Sequence, residues 1–230
     1  MSTVIEINDV ETLEDYRLAY NVLLPETHGA SFFHTLDWLL VYWRHFGAEQ
    51  KMRVLLIEGE NGPIGILPLV VVREKRRIGT VRVLTYPLAD WGAFYGPIGP
   101  NPTATLLAGI RHIQSTPRDW DVLELRWVDR DGWDHGRTKT ALRHVGFTSI
   151  ESQWTSTAQV ETSGDWKTYW ASRKSHWRTN VRRSERKLDE QGKVELLRYR
   201  PAGTAHGDDD PRWDLYNATL DIARASWQGD

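Results

Sequence analysis

Segments with the apolar spacing of helices alternate along this chain with segments that have the apolar pattern of strands. Apolar residues at a spacing of 3.6 are typical of amphipathic helices, and short apolar runs between turn residues are typical of strands. The predicted strands cover residues 3–7, 52–57, 64–72, 81–86, 120–128, 155–160 and 194–199. The predicted helices cover residues 11–24, 32–46, 103–114, 133–144, 166–171, 175–191 and 212–227. This order predicts the α/β class, with helices layered on a mixed sheet.

A hairpin signal predicts an antiparallel meander in the first part of the chain. Residues 60–62, Glu-Asn-Gly, separate the predicted strands 52–57 and 64–72. The charged run 73–77 then turns the chain into strand 81–86. We expect residues 1–162 to form one domain. Residues 163–230 contain too few strands for an independent sheet domain.

Composition and charge narrow the class of protein. With a net charge of −2 the chain is not a generally basic nucleic-acid binder, and no DNA partner is expected. The sequence has no cysteine, which excludes disulfides and thiol chemistry. Its eight histidines show no metal-ligand spacing, so no metal site is predicted. Without a secretory signal or a long apolar run, a cytoplasmic protein is expected.

The most unusual stretch is the predicted helix 175–191 with the residues before it. Between Arg173 and Lys187 there are seven basic residues and one acidic residue, Glu185. Because like charges four residues apart repel, this row favours an anionic ligand or an acidic partner surface. A solvated helix face is the alternative. The candidate substrate- and phosphate-binding residues are Arg173, Lys174, Arg178, Arg182, Arg183 and Arg186.

Capping residues set the expected ends of the two helices in this stretch. Asp165 is placed to cap helix 166–171, and Ser175 is placed to cap the longer helix. Gly192 stands where a left-handed C-cap is expected.

A loop rich in glycine, proline and aromatic residues covers residues 87–102. Loops on a rigid scaffold are common places for functional residues. We take Asp90 and Tyr95 in this loop as catalytic candidates. The alternative is an ordered crossover loop whose aromatic residues anchor it in the core.

Four segments together resemble a known family. They are FFHTLDWLLVYWRHFG, RVLLIEGENGPIGILPLVVVR, LADWGAFYGP and SRKSHWRTNVRRSERKLDEQGKVELLRY. They are similar to the CelD-like branch of the GNAT acetyltransferase superfamily, which is linked to cellulose and exopolysaccharide synthesis and related to Fem-type aminoacyl transferases. The family's usual Ser-Asp-Tyr is Ala89-Asp90-Trp91 here, so only the aspartate carries over.

The resemblance implies both a fold and an activity. It implies a GNAT-like domain over residues 1–162, followed by the beginning of a second GNAT-like domain at 163–230. Since the second domain of the family continues further, we interpret the chain as C-terminally truncated. The implied reaction is N-acyl transfer from acyl-CoA, such as acetyl-CoA, to an amine of a sugar or cell-envelope precursor. The chain would then be the enzyme or its acceptor-binding half.

One short motif points toward the same family but departs from its pattern. Residues 76–81, RRIGTV, partly match the GNAT pyrophosphate loop, which opens a helix. Here Val81 replaces the last small residue and a predicted strand follows. We therefore interpret the motif as a hairpin turn.

A second hypothesis is a non-catalytic binding module. In it the basic helix docks on an anionic polymer, a membrane surface or RNA. The predicted helix 212–227 has apolar residues on two nearly opposite faces, so we expect exposed apolar surface and self-association through this helix.

Overall fold

A computed structural model describes residues 2–87, 95–156, 160, 162–196, 198–199 and 212–227. The chain divides into two compact units, Met1–Thr157 and Ala158–Asp230.

A mixed sheet forms the centre of the first unit. Its five strands lie in chain order, β1-β2-β3-β4-β5. The first three pairings are antiparallel, and β5 runs parallel to β4. The expected α/β class with a mixed sheet is confirmed. The strands are β1 (Thr3–Ile7), β2 (Lys51–Gly59), β3 (Gly62–Arg76), β4 (Gly79–Thr85) and β5 (Val122–Leu123).

The hairpin of β3 and β4 is longer than the sequence pattern predicts. The expected turn at residues 73–77 is mostly strand, and pairing continues to Arg76 opposite Gly79. Gly79 has a φ of 114°, a value that a side chain would strain. The hairpin interpretation of residues 76–81 is therefore confirmed. The charged residues extend the strand because several of them are paired with charges on neighbouring chain segments, as between Glu74 and Arg126.

Helices cover both faces of the sheet. The predicted helix 11–24 is two helices that meet at Tyr16. The predicted helix 32–46 begins as a 3-10 turn, Phe32–His34, and restarts where the Thr35 hydroxyl accepts from the Trp38 backbone N–H. The helices of this unit are α1 (Val10–Asp15), α2 (Arg17–Leu23), α3 (Leu36–Phe46), α4 (Pro102–Ser115) and α5 (Arg137–His144).

Alternation along the strands creates two cores, one on each face of the sheet. On one face, side chains of β2 and β3 pack against α1, α2 and α3. On the other, they pack against α4 and α5. Helix α4 lies very close to the sheet at Gly65 and Gly109, because an added Cβ would come within 2.0 Å of Thr105 Oγ1 and 2.6 Å of Leu67 Cδ2 respectively.

Four more predicted elements differ from the structure. Strand 120–128 is reduced to β5. Helix 133–144 starts only at Arg137, because His135 and Gly136 have left-handed backbones. Among the described residues of 155–160 and 194–199 there is no strand, and residues 157–159 and 197 lie outside the described part. Such a segment becomes a strand only if a neighbouring strand is placed to pair with it, and the intrinsic strand propensity of its residues does not determine that.

The second unit is helical in its described part. It consists of α6 (Trp166–Ser172), α7 (Ser175–Asp189) and α8 (Trp213–Arg224). None of the described residues in these helices is fully buried. In and beside α8, Trp213, Ile222 and Trp227 are 62%, 71% and 84% exposed, which confirms the expected exposed apolar surface. Self-association through this helix stays a prediction.

Candidate functional site

Helices α6 and α7 form a hairpin that presents the basic residues. As predicted, Asp165 caps α6, accepting at Oδ1 from the Thr168 backbone N–H at 2.9 Å. Ser175 is the first residue of α7 rather than its cap, which is Lys174 without a side-chain hydrogen bond. The expected left-handed C-cap at Gly192 is wrong, because α7 ends at Asp189 with Glu190 as a right-handed C-cap, and Gly192, with a φ of 145°, follows two residues later.

An aromatic cluster joins the two helices of this hairpin. The ring centroids of Trp166 and Trp170 are 5.5 Å apart, and those of Trp170 and Trp177 are 5.4 Å apart. Tyr169 stacks on Trp166 at 5.5 Å and meets the edge of Trp177 at 6.4 Å. Through these contacts Trp177 of α7 packs against α6. The basic rows of α7 therefore remain directed toward solvent.

The predicted binding residue Arg178 has a structural role. Its Nη1 donates to the backbone oxygens of Ala171 at 2.9 Å and Arg173 at 3.0 Å, with a longer contact to Trp170 at 3.5 Å. The last carbonyls of a helix have no partner within the helix, and a cation there also meets the negative end of the helix dipole. Arg178 thus closes the C-terminal end of α6 and fixes α6 against α7.

We expect Arg178→Gln to loosen the hairpin. Amide hydrogen exchange across residues 166–180 is the measurement, and the loss of a charged cap of about 1 kcal/mol corresponds to roughly fivefold faster exchange. Arg186→Gln, on the exposed side of the same helix, is the matched control and should leave these rates unchanged. Equal protection in both variants would contradict a capping role for Arg178.

Four other cations form one exposed face on α7. Arg182, Arg183, Arg186 and Lys187 stand at positions i, i+1, i+4 and i+5, which places them in two adjacent rows. All four are exposed. Between described residues of the second unit, the ion pairs are Lys193–Glu195, Arg212–Asp214 and Arg224–Asp221, and none of them involves α7. This basic face can therefore offer several cations to one anion.

Two of the basic residues also touch the aromatic cluster. The guanidinium of Arg182 lies 5.6 Å from the centre of the Trp170 ring, and that of Arg173 lies 4.6 Å from the centre of the Tyr169 ring. Contacts of this kind between a cation and a ring hold the guanidinium in place without neutralising it. Lys174 is exposed at the start of α7. The structure thus separates the six predicted residues into the cap Arg178 and five available cations.

The catalytic candidate Tyr95 lies in the first unit and is 4% exposed. Its hydroxyl oxygen accepts from Trp38 Nε1 at 2.8 Å. Burial raises the pKa of Tyr95 to about 12, and the bond from Trp38 opposes that rise. Tyr95 therefore keeps its proton at neutral pH and can act as a donor but not as a base. The other candidate, Asp90, lies outside the described residues.

A small cavity of about 10 Å3 lies beside Tyr95 and is lined also by Tyr20 and His34. His34 Nδ1 accepts from the Ser31 backbone N–H at 3.1 Å, which assigns the ring proton to Nε2. Burial lowers the pKa of His34, so the ring is neutral at pH 7. The space is sufficient for about one water molecule. His34 and Tyr95 therefore provide donors but no room for a substrate.

A buried ionic network, which sequence patterns did not indicate, joins β1, β2 and the end of α4. Arg53 has a side chain only 3% exposed and donates to Glu6 Oε1 at 2.7 Å and to Asp119 Oδ1 at 3.0 Å. Glu6 Oε2 also lies 2.8 Å from His112 Nε2. Burial acts to raise the pKa of Glu6, but the bonds from Arg53 and His112 outweigh it and lower that pKa. The feature of the sequence that could have indicated this network is Arg53, a charged residue inside the otherwise apolar segment MRVLLI.

Neither a metal-binding cluster nor a membrane-spanning helix occurs in the described ranges. There, no group of three or more His, Cys, Asp or Glu is placed to hold a metal ion. Within the same ranges, no helix combines the length and apolar character that crossing a bilayer requires.

Comparisons with known proteins do not assign this chain to a family. No protein-family model matches the chain, and no curated protein matches it. Its structure is similar to one described as "Crystal structure of a probable acetyltransferase", with a TM-score of 0.35 and 11% sequence identity. That match covers 71% of this chain and 99% of the other. A TM-score this low supports no argument about fold family or activity.

Proposed function

We propose that this chain is an N-acyltransferase, or the acceptor-binding half of one, with acyl-CoA, such as acetyl-CoA, as donor. The acceptor is an amine on a sugar or a cell-envelope or exopolysaccharide precursor. The observation that carries the proposal is the exposed basic face of α7, whose cations lack ion-pair partners among the described residues. The resemblance of residues 172–199 to CelD-like acetyltransferases supplies the reaction class.

Phosphate groups suit this face for a physical reason. Guanidinium groups bind phosphate oxygens by charge-assisted hydrogen bonds, each contributing about 1.5–3 kcal/mol when the donor or acceptor is charged. CoA carries three phosphate groups, and sugar precursors are commonly activated as phosphate esters. Arg182, Arg183 and Arg186 are the principal ligands in this proposal, with Arg173 and Lys174 beside the start of the helix.

In the reaction the acceptor nitrogen attacks the thioester carbonyl, the C–S bond breaks and the thiolate of CoA takes a proton. Tyr95 is a proton donor at neutral pH, because its pKa is about 12. Because the cavity beside Tyr95 holds only about one water molecule, a thioester cannot reach its hydroxyl there, and we assign Tyr95 no step in the transfer.

The second candidate function is an anion-binding module without catalysis, with the basic face docked on RNA, an anionic polymer or a membrane surface. The observation in its favour is that α6 and α7 are joined by their own aromatic cluster and by Arg178. The basic face thus needs no further element to be assembled.

Native mass spectrometry with acetyl-CoA and with a short RNA separates the two functions. We expect a one-to-one complex with acetyl-CoA, whose acyl group is lost when an amine acceptor is added. Salt-sensitive retention of RNA with no acetyl-CoA complex would refute the acyltransferase proposal and favour the binding module.

A further inference from the structure

Two arginines of the β3–β4 hairpin oppose each other directly. Arg73 on β3 is the register partner of Arg82 on β4, so both side chains project from the same face of the sheet. Directly opposed residues have Cβ atoms about 4.5–5.5 Å apart, and like charges in that position are destabilising. An anion bound between the two guanidinium groups would turn this repulsion into attraction.

A third cation lies on the same face. Lys51 on β2 is the register partner of Val71, which precedes Arg73 by two residues on β3. Asp119 follows helix α4, which ends at Ser115. The open concavity between these elements measures about 590 Å3 and is lined by Lys51, Arg73, Arg82, Glu49 and Asp119. Ligand sites usually measure about 300–1,000 Å3, so this concavity, here called the sheet groove, is large enough for a small molecule.

Carboxylates hold two of the three cations in position. Arg82 donates through Nη2 to Asp121 Oδ1 at 2.7 Å, and its backbone N–H donates to the same carboxylate at 2.8 Å. These bonds lower the pKa of Asp121 to about 2, so the pair stays charged at neutral pH. Lys51 Nζ lies 2.5 Å from Asp119 Oδ2. Asp119 is in turn held by the buried Arg53.

Arg73 differs from its neighbours because it has no ion-pair partner within the part of the chain that is described, and it is exposed. The groove is therefore lined by three positive and two negative side chains, with one guanidinium available. Its cations stand on strands, which hold their side chains more rigidly than loops do.

We propose that the sheet groove binds a small phosphate monoester, with Arg73 and Arg82 on either side of the phosphate group and Lys51 beside it. The fork of Arg73 can bind two oxygens of a tetrahedral dianion, and Arg82, whose Nε and Nη2 donate to Asp121, can add its Nη1. Asp119 and Glu49 are placed to accept hydrogen bonds from hydroxyl groups of the same ligand. The site belongs to the first unit and does not depend on the basic face of α7.

The experiment uses the full chain, with inorganic phosphate and glucose 6-phosphate as probes and glucose as the uncharged comparison. Calorimetric titration measures affinity, and a melting curve at each phosphate concentration measures stabilisation. Both are carried out also in the Arg182→Glu, Arg183→Glu, Arg186→Glu variant, so that binding to α7 does not contribute. We expect both phosphates to bind, glucose 6-phosphate more tightly, and glucose not to bind.

Arg73→Gln is the decisive variant, and Arg77→Gln at the tip of the same hairpin is its matched control. Arg73→Gln should weaken phosphate binding about tenfold, as expected for one charged hydrogen bond. It should also remove the rise in Tm that phosphate causes. Without phosphate, the Tm of the variant should equal or exceed that of the parent, because Arg82 no longer faces a second positive charge. Arg77→Gln should bind as the parent does.

Two results would overturn the proposal for the sheet groove. The first is equal phosphate affinity in the Arg73→Gln protein and its parent, and the second is loss of all phosphate binding in the α7 variant. The second result would leave the acyl-CoA proposal intact. Conversely, phosphate binding in the groove with no CoA binding by α7 would reject that proposal and keep this one.

Discussion

Reversing three charges on α7 is expected to weaken CoA binding by at least about a hundredfold, because three lost contacts of about 1 kcal/mol each correspond to that factor. The variant is Arg182→Glu, Arg183→Glu, Arg186→Glu. It leaves Arg178 in place, so α6 keeps its C-terminal cap. Titration calorimetry at low salt measures the affinity, and circular dichroism reports whether α7 is still helical.

The control for this prediction carries the same change of charge elsewhere. Arg77, Arg111 and Arg143 are exposed residues of the first unit, and their joint replacement by glutamate also changes the net charge by −6. This control should retain CoA affinity within about threefold of the parent at physiological salt, where distant charges are screened. An equal loss in both triple variants would mean that CoA responds to overall charge and not to the face of α7.

Replacing Arg53 by methionine is expected to lower the free energy of unfolding of the first unit by about 3–5 kcal/mol. Methionine approximates the unbranched stem of arginine but lacks the guanidinium, which leaves Glu6 and Asp119 as partly buried carboxylates without their common partner. Breaking a buried pair from one side is costly because the remaining carboxylates lose their main partner, and Lys51 and His112 compensate them only in part. Chemical denaturation at pH 7 measures the loss.

Arg17→Met provides the comparison for Arg53→Met. Arg17 also contacts two carboxylates, Glu14 and Asp37, but its side chain is 39% exposed. Exposed ion pairs contribute about 0–1 kcal/mol, so this variant should unfold almost as the parent does. A loss below about 1 kcal/mol for Arg53→Met would contradict the network's importance for stability.

The same network predicts a dependence of stability on pH. Glu6 has a lowered pKa in the folded protein, below the ordinary value of 4.5. Its contribution is thus fully present above pH 4.5 and is lost as the pH falls through the lower folded value. Arg53→Met should reduce this acid-dependent loss, since the guanidinium that lowers the pKa is absent.

The role of Arg178 shows how the tertiary structure changes the meaning of a sequence pattern. On the helix it forms one row with Arg182 and Arg186, and all three were expected to bind anions. Only the position of α6 reveals that the Arg178 guanidinium faces the backbone oxygens of Ala171 and Arg173. That position depends on the aromatic cluster, whose members come from both helices.

The amino-acid sequence by itself determined the elements whose signals are local. Apolar runs on either side of the Glu-Asn-Gly turn defined β2 and β3, and Asp165 defined the start of α6. Gly79 identified a hairpin where the GNAT phosphate motif was only partly matched. These features depend on residues within a few positions of each other, where period, capping and backbone preference operate.

Only the tertiary structure decided which distant charges meet. Glu6, Arg53 and Asp119 are far apart in sequence, and the opposition of Arg73 and Arg82 follows from a strand register that continues through a charged segment expected to be a turn. Register and helix placement arise from the packing of two cores on the sheet, and a shift of one residue would have turned each of these side chains to the other face. The buried network and the sheet groove are therefore properties of the folded chain, not of any single segment.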